Sequence, residues 1–240
     1  MIMTDISLQD YCKTLHISTV YSVYEEKYAE NLEVTNFLKE ALSSEFHSRK
    51  INRQMKALKQ AGFPTVKRFE DLNLDALPDD GRRSIPDLQS LEFLKERKNL
   101  ILIGNSGTGK THCAIATGVH ACLNEYKVVF RTAAMLINEL YEAKKQSRLS
   151  FVIKKMKMAD LLIIDELGYI SFDLEGAELL FQLLAARYET QSTLVTSNLM
   201  FSEWVRIFHD KTLTAALLDR ITHRALILNM SGTSFRRRED

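Results

Sequence analysis

Between Leu100 and Thr117 an apolar run meets a glycine-rich loop and then a helix-forming stretch, an order that few folds can accommodate. The run is Leu100-Ile101-Leu102-Ile103, and the loop is Gly104-Asn105-Ser106-Gly107-Thr108-Gly109-Lys110-Thr111. Cys113-Ala114-Ile115-Ala116-Thr117 follows. Strand, glycine loop and helix form the context that a phosphate-binding P-loop requires. The glycines let the backbone turn its N–H groups inward, and the helix N-terminus adds partial positive charge at the same place. Lys110 has the reach for the β- and γ-phosphates, and the Thr111 hydroxyl suits Mg²⁺. Gly104, Asn105, Ser106, Gly107, Thr108, Gly109, Lys110, Thr111 and His112 are therefore the candidate nucleotide contacts.

A second apolar run, Leu161-Leu162-Ile163-Ile164, reads as a strand buried on both faces and ends in Asp165-Glu166. In an open α/β sheet the carboxyl ends of the strands face the ligand crevice. Asp165 is thus the expected metal-side carboxylate, acting through water because Mg²⁺ keeps much of its hydration. Neighbouring residues leaving a strand diverge, so Glu166 points elsewhere and suits a general base for the attacking water. A third strand, Ser192-Thr193-Leu194-Val195-Thr196-Ser197, ends in Asn198. Asn198 is either a turn residue or a group that senses the γ-phosphate and its water, and its place in the motif order favours sensing. Near the C-terminus, Leu217, Leu218 and Ile221 mark one helical face and leave Arg220 and Arg224 at i, i+4. An arginine reaching a neighbouring subunit's γ-phosphate stabilises transition-state charge. Arg220 is the first candidate and Arg224 the second, with surface salt bridging the alternative for each.

These motifs together resemble the AAA+ ATPases, and within them the IstB-like transposition helpers and their DnaC-like helicase-loader relatives. The resemblance rests on Gly104 to Thr111, on Leu161 to Tyr169, on Thr196-Ser197-Asn198 and on Leu218-Asp219-Arg220. It extends to Phe37-Leu38-Lys39-Glu40-Ala41-Leu42 with Glu45 and Arg49, and to Ser234-Phe235-Arg236. It implies an ATP- and Mg²⁺-dependent, DNA-binding homo-oligomer that assists a transposase of IstA-like type; a replicative helicase loader is the alternative. It also implies that the first part of the segment from Phe69 to Asp87 lies over the nucleotide base. After Ala225-Leu226-Ile227-Leu228 there is no room for the helical lid of many AAA+ proteins, and IstB-like and DnaC-like proteins also lack it. Arg236 either replaces the lid's arginine or belongs to a solvated basic tail, Arg236-Arg237-Arg238. A P-loop small-molecule kinase would not need the acid pair, the strand-end amide and the late arginine together.

Net charge is only +1, so charge distribution is more informative than its total. From Glu45 to Glu70 there are seven lysines and arginines against two glutamates. Arg49, Arg53, Lys56 and Lys59 form the expected DNA-binding stripe, and Lys144 and Lys145 open a second cluster with Arg148, Lys154, Lys155 and Lys157. Such stripes bind nucleic acid without sequence preference and in a salt-sensitive way. Cys12, Cys113 and Cys122 have no metal-type spacing and suggest a reducing, cytoplasmic compartment. No run approaches the roughly 18 apolar residues of a membrane span, and Asp5 and Asp10 stand where a signal segment would be basic and apolar.

The expected organisation is a small helical DNA-binding and assembly domain over residues 1–66 and an ATPase domain over residues 67–240. Leu8, Tyr11, Cys12 and Leu15 mark one helix face, and a second helix runs from after Thr35 to Lys59. Residues 69–87 read as connector. Strands near 100–104, 127–132, 160–165, 192–197 and 225–228, with helices between them, predict a three-layer α/β sandwich on a parallel five-stranded sheet. Leu179, Leu180, Leu183 and Leu184 on a helix over 175–188, and Trp204 with Phe208, are expected in the core. His209 and His223 lack metal-like companions.

Overall fold

The five apolar runs pair into one sheet in the computed structural model, which describes residues 6–232. They are β1 (Asn99–Ile103), β2 (Val128–Thr132), β3 (Leu161–Leu167), β4 (Ser192–Ser197) and β5 (Ala225–Asn229). All pairings are parallel, in the order β2-β3-β4-β1-β5. The chain divides into two compact units, residues 1–56 and 57–240.

The first unit is built on α1 (Leu8–Thr14), α2 (Ser18–Lys27) and most of α3 (Leu32–Ala61). Ser7 caps α1, its hydroxyl accepting from the Asp10 N–H. Leu8, Tyr11, Cys12, Leu15 and Leu42 form its small core, edged by Leu38 and Phe46. The unit boundary falls inside α3, ten residues before the expected 66. The reason is packing: Ala61 is fully buried, and with Ala57, Leu58 and Phe63 it joins the apolar layer of the second unit. Periodicity places a helix but cannot tell which core each of its turns enters.

The second unit opens with two 3₁₀ turns, Phe69–Asp71 and Leu74–Ala76, and three short helices, α4 (Asp79–Arg83), α5 (Ile85–Ser90) and α6 (Glu92–Lys95). Then, between the strands, come α7 (Lys110–Leu123), α8 (Ala133–Lys145), α9 (Leu149–Lys157), α10 (Leu174–Arg187), α11 (Val205–Phe208) and α12 (Lys211–Thr222). Side chains alternate across the sheet as the pleat requires. Leu100, Leu102, Leu161 and Ile163 join α7 on one face. Ile101, Ile103, Leu162 and Ile164 join α8, α10 and α12 on the other, where Leu179, Leu180, Leu183, Leu184, Trp204 and Phe208 are buried. The result is the expected three-layer sandwich, and among the described residues no helical lid follows β5. Gly118 permits a close helix-to-sheet approach: a Cβ there would meet the Ile163 Cδ1 at 2.6 Å.

Cys113 and Cys122 lie nine positions apart on α7, yet both are buried in one apolar layer because that helix is covered almost all round. Burial pushes both thiols up to about 12, which makes them packing residues rather than nucleophiles. Arg187 is buried, with the Asp160 carboxylate near enough to offset part of the cost of burying its charge. Its guanidinium donates to the carbonyls of Met156, Ala159 and Ser192 and to Thr193 Oγ1, pinning the end of α9 to the start of β4. Burial lowers its pKa to about 10.

Candidate active site

β1 delivers the chain to Gly104, whose φ of 156° brings its backbone against residue 230; a Cβ would lie 2.3 Å from the Met230 carbonyl carbon. Gly107 and Gly109 take φ values of 79° and 91°, in the left-handed region that favours glycine, and Gly109 caps α7. Thr108 is buried and donates to the Asn105 carbonyl at 2.9 Å, bracing the loop from within. The Lys110 ammonium folds back over the loop, 2.6 Å from the Gly104 carbonyl and 2.5 Å from that of Asn105. Cation, glycine backbone and helix N-terminus thus converge on one concavity, as a polyphosphate requires.

Facing the loop, Asp165 is 2% exposed and its Oδ1 accepts from Thr111 Oγ1 at 3.0 Å and from Thr196 Oγ1 at 2.6 Å. Thr196 in turn accepts the Glu166 N–H at 2.9 Å. The acid pair does not end the strand as expected. β3 continues to Leu167 through a register irregularity at these two residues, and Glu166 takes a φ of 62°. Asp165 therefore turns inward, whereas Glu166 is exposed and lines the cavity.

Asn198 Oδ1 is buried with no hydrogen-bond partner, the one such side-chain atom among the described residues. It borders the same cavity, of about 330 Å³, with Lys110, Thr111, Glu166 and Thr196. An orphaned acceptor at the end of β4 is what a site for an ordered water or a protonated ligand group provides. The cavity's other wall comes from the connector, through Lys67, Asp71, Leu72, Asn73 and Leu77. His112 borders it too, its ring Nε2 3.1 Å from the Arg68 carbonyl. Tyr169 closes one side, its hydroxyl 2.7 Å from Ser106 Oγ. Residue-level reading missed Thr196, Tyr169 and the connector residues as site members. The visible signal was the scatter of apolar Phe69, Leu72, Leu74 and Leu77 through a stretch with no helical or strand period.

The remaining candidates lie elsewhere. Arg220 stacks on the Phe181 ring, 4.4 Å from its centroid, and donates to the Ala216 carbonyl at 3.0 Å. It neighbours Asn99 and Thr193, at the amino ends of their strands, and so sits at the opposite end of the sheet from Lys110. Arg224 is not beside it at i, i+4: α12 ends at Thr222, and Arg224 has a φ of 52° beyond it. Arg236 lies outside the described residues. Arg53, Lys56 and Lys59 are exposed on α3. Arg49 is tied to Glu45 at 2.6 Å and to the Leu15 carbonyl at 3.2 Å. Lys144 pairs with Glu175 at 2.7 Å, and Lys145 approaches Glu142 at 3.9 Å.

A parallel sheet with this loop, acid pair and strand-end amide at its carboxyl edge defines a P-loop ATPase. The chain belongs to the IstB-like ATP-binding proteins, whose family model matches residues 13–240. It is 38% identical over 228 residues to the ATP-binding protein of insertion sequence IS21 from Pseudomonas aeruginosa, covering 95% of this chain and 86% of that one. Among solved structures, DnaI aligns with a TM-score of 0.56 at 21% identity, covering 75% of this chain and 92% of that one. AMPPCP-bound DnaA from Aquifex aeolicus aligns with a TM-score of 0.57 at 17% identity, covering 70% of this chain and 50% of that one. At these identities the two structures establish a shared fold and nothing further. Among the described residues no helix is long and apolar enough to cross a membrane.

Proposed function

We propose that this chain is the ATP-dependent, DNA-binding helper of an insertion-sequence transposase, and that its subunits assemble on duplex DNA in the triphosphate state. The observation that carries the reading is the division of the machinery. Lys110, Thr111, Asp165, Glu166 and Asn198 gather at the carboxyl edge of the sheet, whereas Arg220 lies at the amino edge. An arginine so placed serves a neighbouring subunit's phosphates better than its own, which makes hydrolysis depend on assembly. The insertion-sequence association of the P. aeruginosa relative, matched over nearly the whole chain, favours a transposase over a replicative helicase as partner.

The site fits an ATP–Mg²⁺ complex. Thr111 Oγ1 and Asp165 Oδ1, 3.0 Å apart, are hard oxygen donors beside the loop. No group of three or more His, Cys, Asp or Glu among the described residues could hold a metal alone, which suits an ion that leans on phosphate and water. Thr111 and Asp165 would hold Mg²⁺, which when bound neutralises charge on the phosphate oxygens. Lys110 and the loop N–H groups bind and orient the polyphosphate. Glu166 takes the proton of the attacking water, and Asn198 Oδ1 accepts that water's other hydrogen. Leu72 and Leu77 provide an apolar wall for the base. Three buried free cysteines accord with a reducing, cytoplasmic setting.

DNA contact is assigned to the exposed Arg53, Lys56 and Lys59 on α3. Leu32, Phe37, Ile51 and Met55 are exposed on the same helix and offer apolar surface to a second copy or to the transposase. Replacing Arg53, Lys56 and Lys59 together by alanine should weaken duplex binding at least tenfold near 0.15 M salt and lower the log–log salt slope by roughly 2 to 3. Fluorescence anisotropy across a salt series measures both; unchanged binding would show that the stripe is only a solvated face.

A further inference from the structure

Strands β3 and β4 run in register from Leu161 opposite Ser192 to Ile164 opposite Val195, and resume with Leu167 opposite Ser197. Two residues of β3, Asp165 and Glu166, therefore face one residue of β4, Thr196. This is a β-bulge, which interrupts the backbone ladder and re-aims the side chains of the bulged strand. The Thr196 hydroxyl replaces the interrupted ladder, donating to Asp165 Oδ1 at 2.6 Å and accepting the Glu166 N–H at 2.9 Å. Thr196 is itself 1% exposed, so packing holds this hydroxyl in place. Glu166, at a φ of 62°, occupies a region disfavoured for any residue with a Cβ and persists there because its surroundings fix it.

We infer that Thr196 is a positioning residue that sets the directions of both carboxylates, turning Asp165 toward Thr111 and Glu166 into the cavity. The inference rests on the assignment of Asp165 and Glu166 to metal and water. A hydroxyl is required on geometric grounds, because one atom must donate to a carboxylate and accept from an amide at once. Serine can do both and valine neither, although valine matches threonine in shape and suits a strand.

The test compares Thr196→Val, Thr196→Ser and Glu166→Gln in the full chain, measuring steady-state ATP turnover and, separately, affinity for a fluorescent ATP analogue. Thr196→Val should lower kcat at least about tenfold while changing affinity less than about threefold, and Thr196→Ser should stay within about threefold of the native kcat. A merely structural role would instead lower the melting temperature and affinity along with turnover. Thr196→Ala deletes the same hydroxyl with less bulk should valine disturb folding. If turnover persists without the hydroxyl while Glu166→Gln is inactive, Thr196 is not a positioning residue and the ATPase assignment stands. If Glu166→Gln turns over normally, the assignment of the base fails and this inference falls with it.

Discussion

Lys110→Ala is expected to abolish the ATP response of this protein. The ammonium lies inside the glycine loop, within 2.6 Å of two loop carbonyls, where it would meet phosphate oxygens at short range. Removing a charge-assisted contact of this kind costs on the order of 3 kcal/mol, or about a hundredfold in affinity. The loss should register as weak binding of a fluorescent ATP analogue and as failure of ATP to promote assembly. Lys110 anchors its own loop as well, so a melting temperature without nucleotide must accompany the measurement. Native-like nucleotide affinity in a folded Lys110→Ala chain would contradict the placement of the polyphosphate.

Glu166→Gln should separate binding from chemistry. The substitution keeps side-chain shape, backbone conformation and the amide contact to Thr196, and removes only the basic carboxylate. Loss of a general base lowers turnover roughly 10²- to 10⁴-fold, with nucleotide affinity largely retained. The variant should therefore assemble with ATP and remain assembled, because assembly is assigned to the triphosphate state and that state is no longer consumed. Single-turnover phosphate release and sedimentation velocity on the same sample read the two halves. Normal phosphate release would remove Glu166 as the base.

The central layers of this molecule were legible in the residues because burial leaves a plain mark. Leu161 to Ile164 contact apolar layers on both faces, and an uninterrupted apolar run encodes that. The P-loop was legible for a different reason: local backbone geometry demands glycines at short, fixed spacing. Features that depend on residues far apart in sequence were not. The bulge exists because Asp165 and Glu166 face Thr196, some thirty positions away, and no local pattern announces it. The cavity wall from Lys67 to Leu77 comes from two 3₁₀ turns and the irregular chain around them, which carry neither a helical nor a strand period. Arg224 was misread because helix periodicity was carried two residues past Thr222. The domain boundary was expected at residue 66, past the end of the helical stretch, whereas the compact units divide within α3.

The proposed assembly, sensitive to the γ-phosphate, would join these pieces, since Arg220 and the P-loop lie at opposite ends of one sheet. Electron microscopy of the full chain with duplex DNA, in ATP, in ADP and without nucleotide, tests that claim most directly. Ordered protein–DNA assemblies should form with ATP and be lost or sparse in the other two conditions. Equal DNA occupancy by monomers in all three would contradict the account.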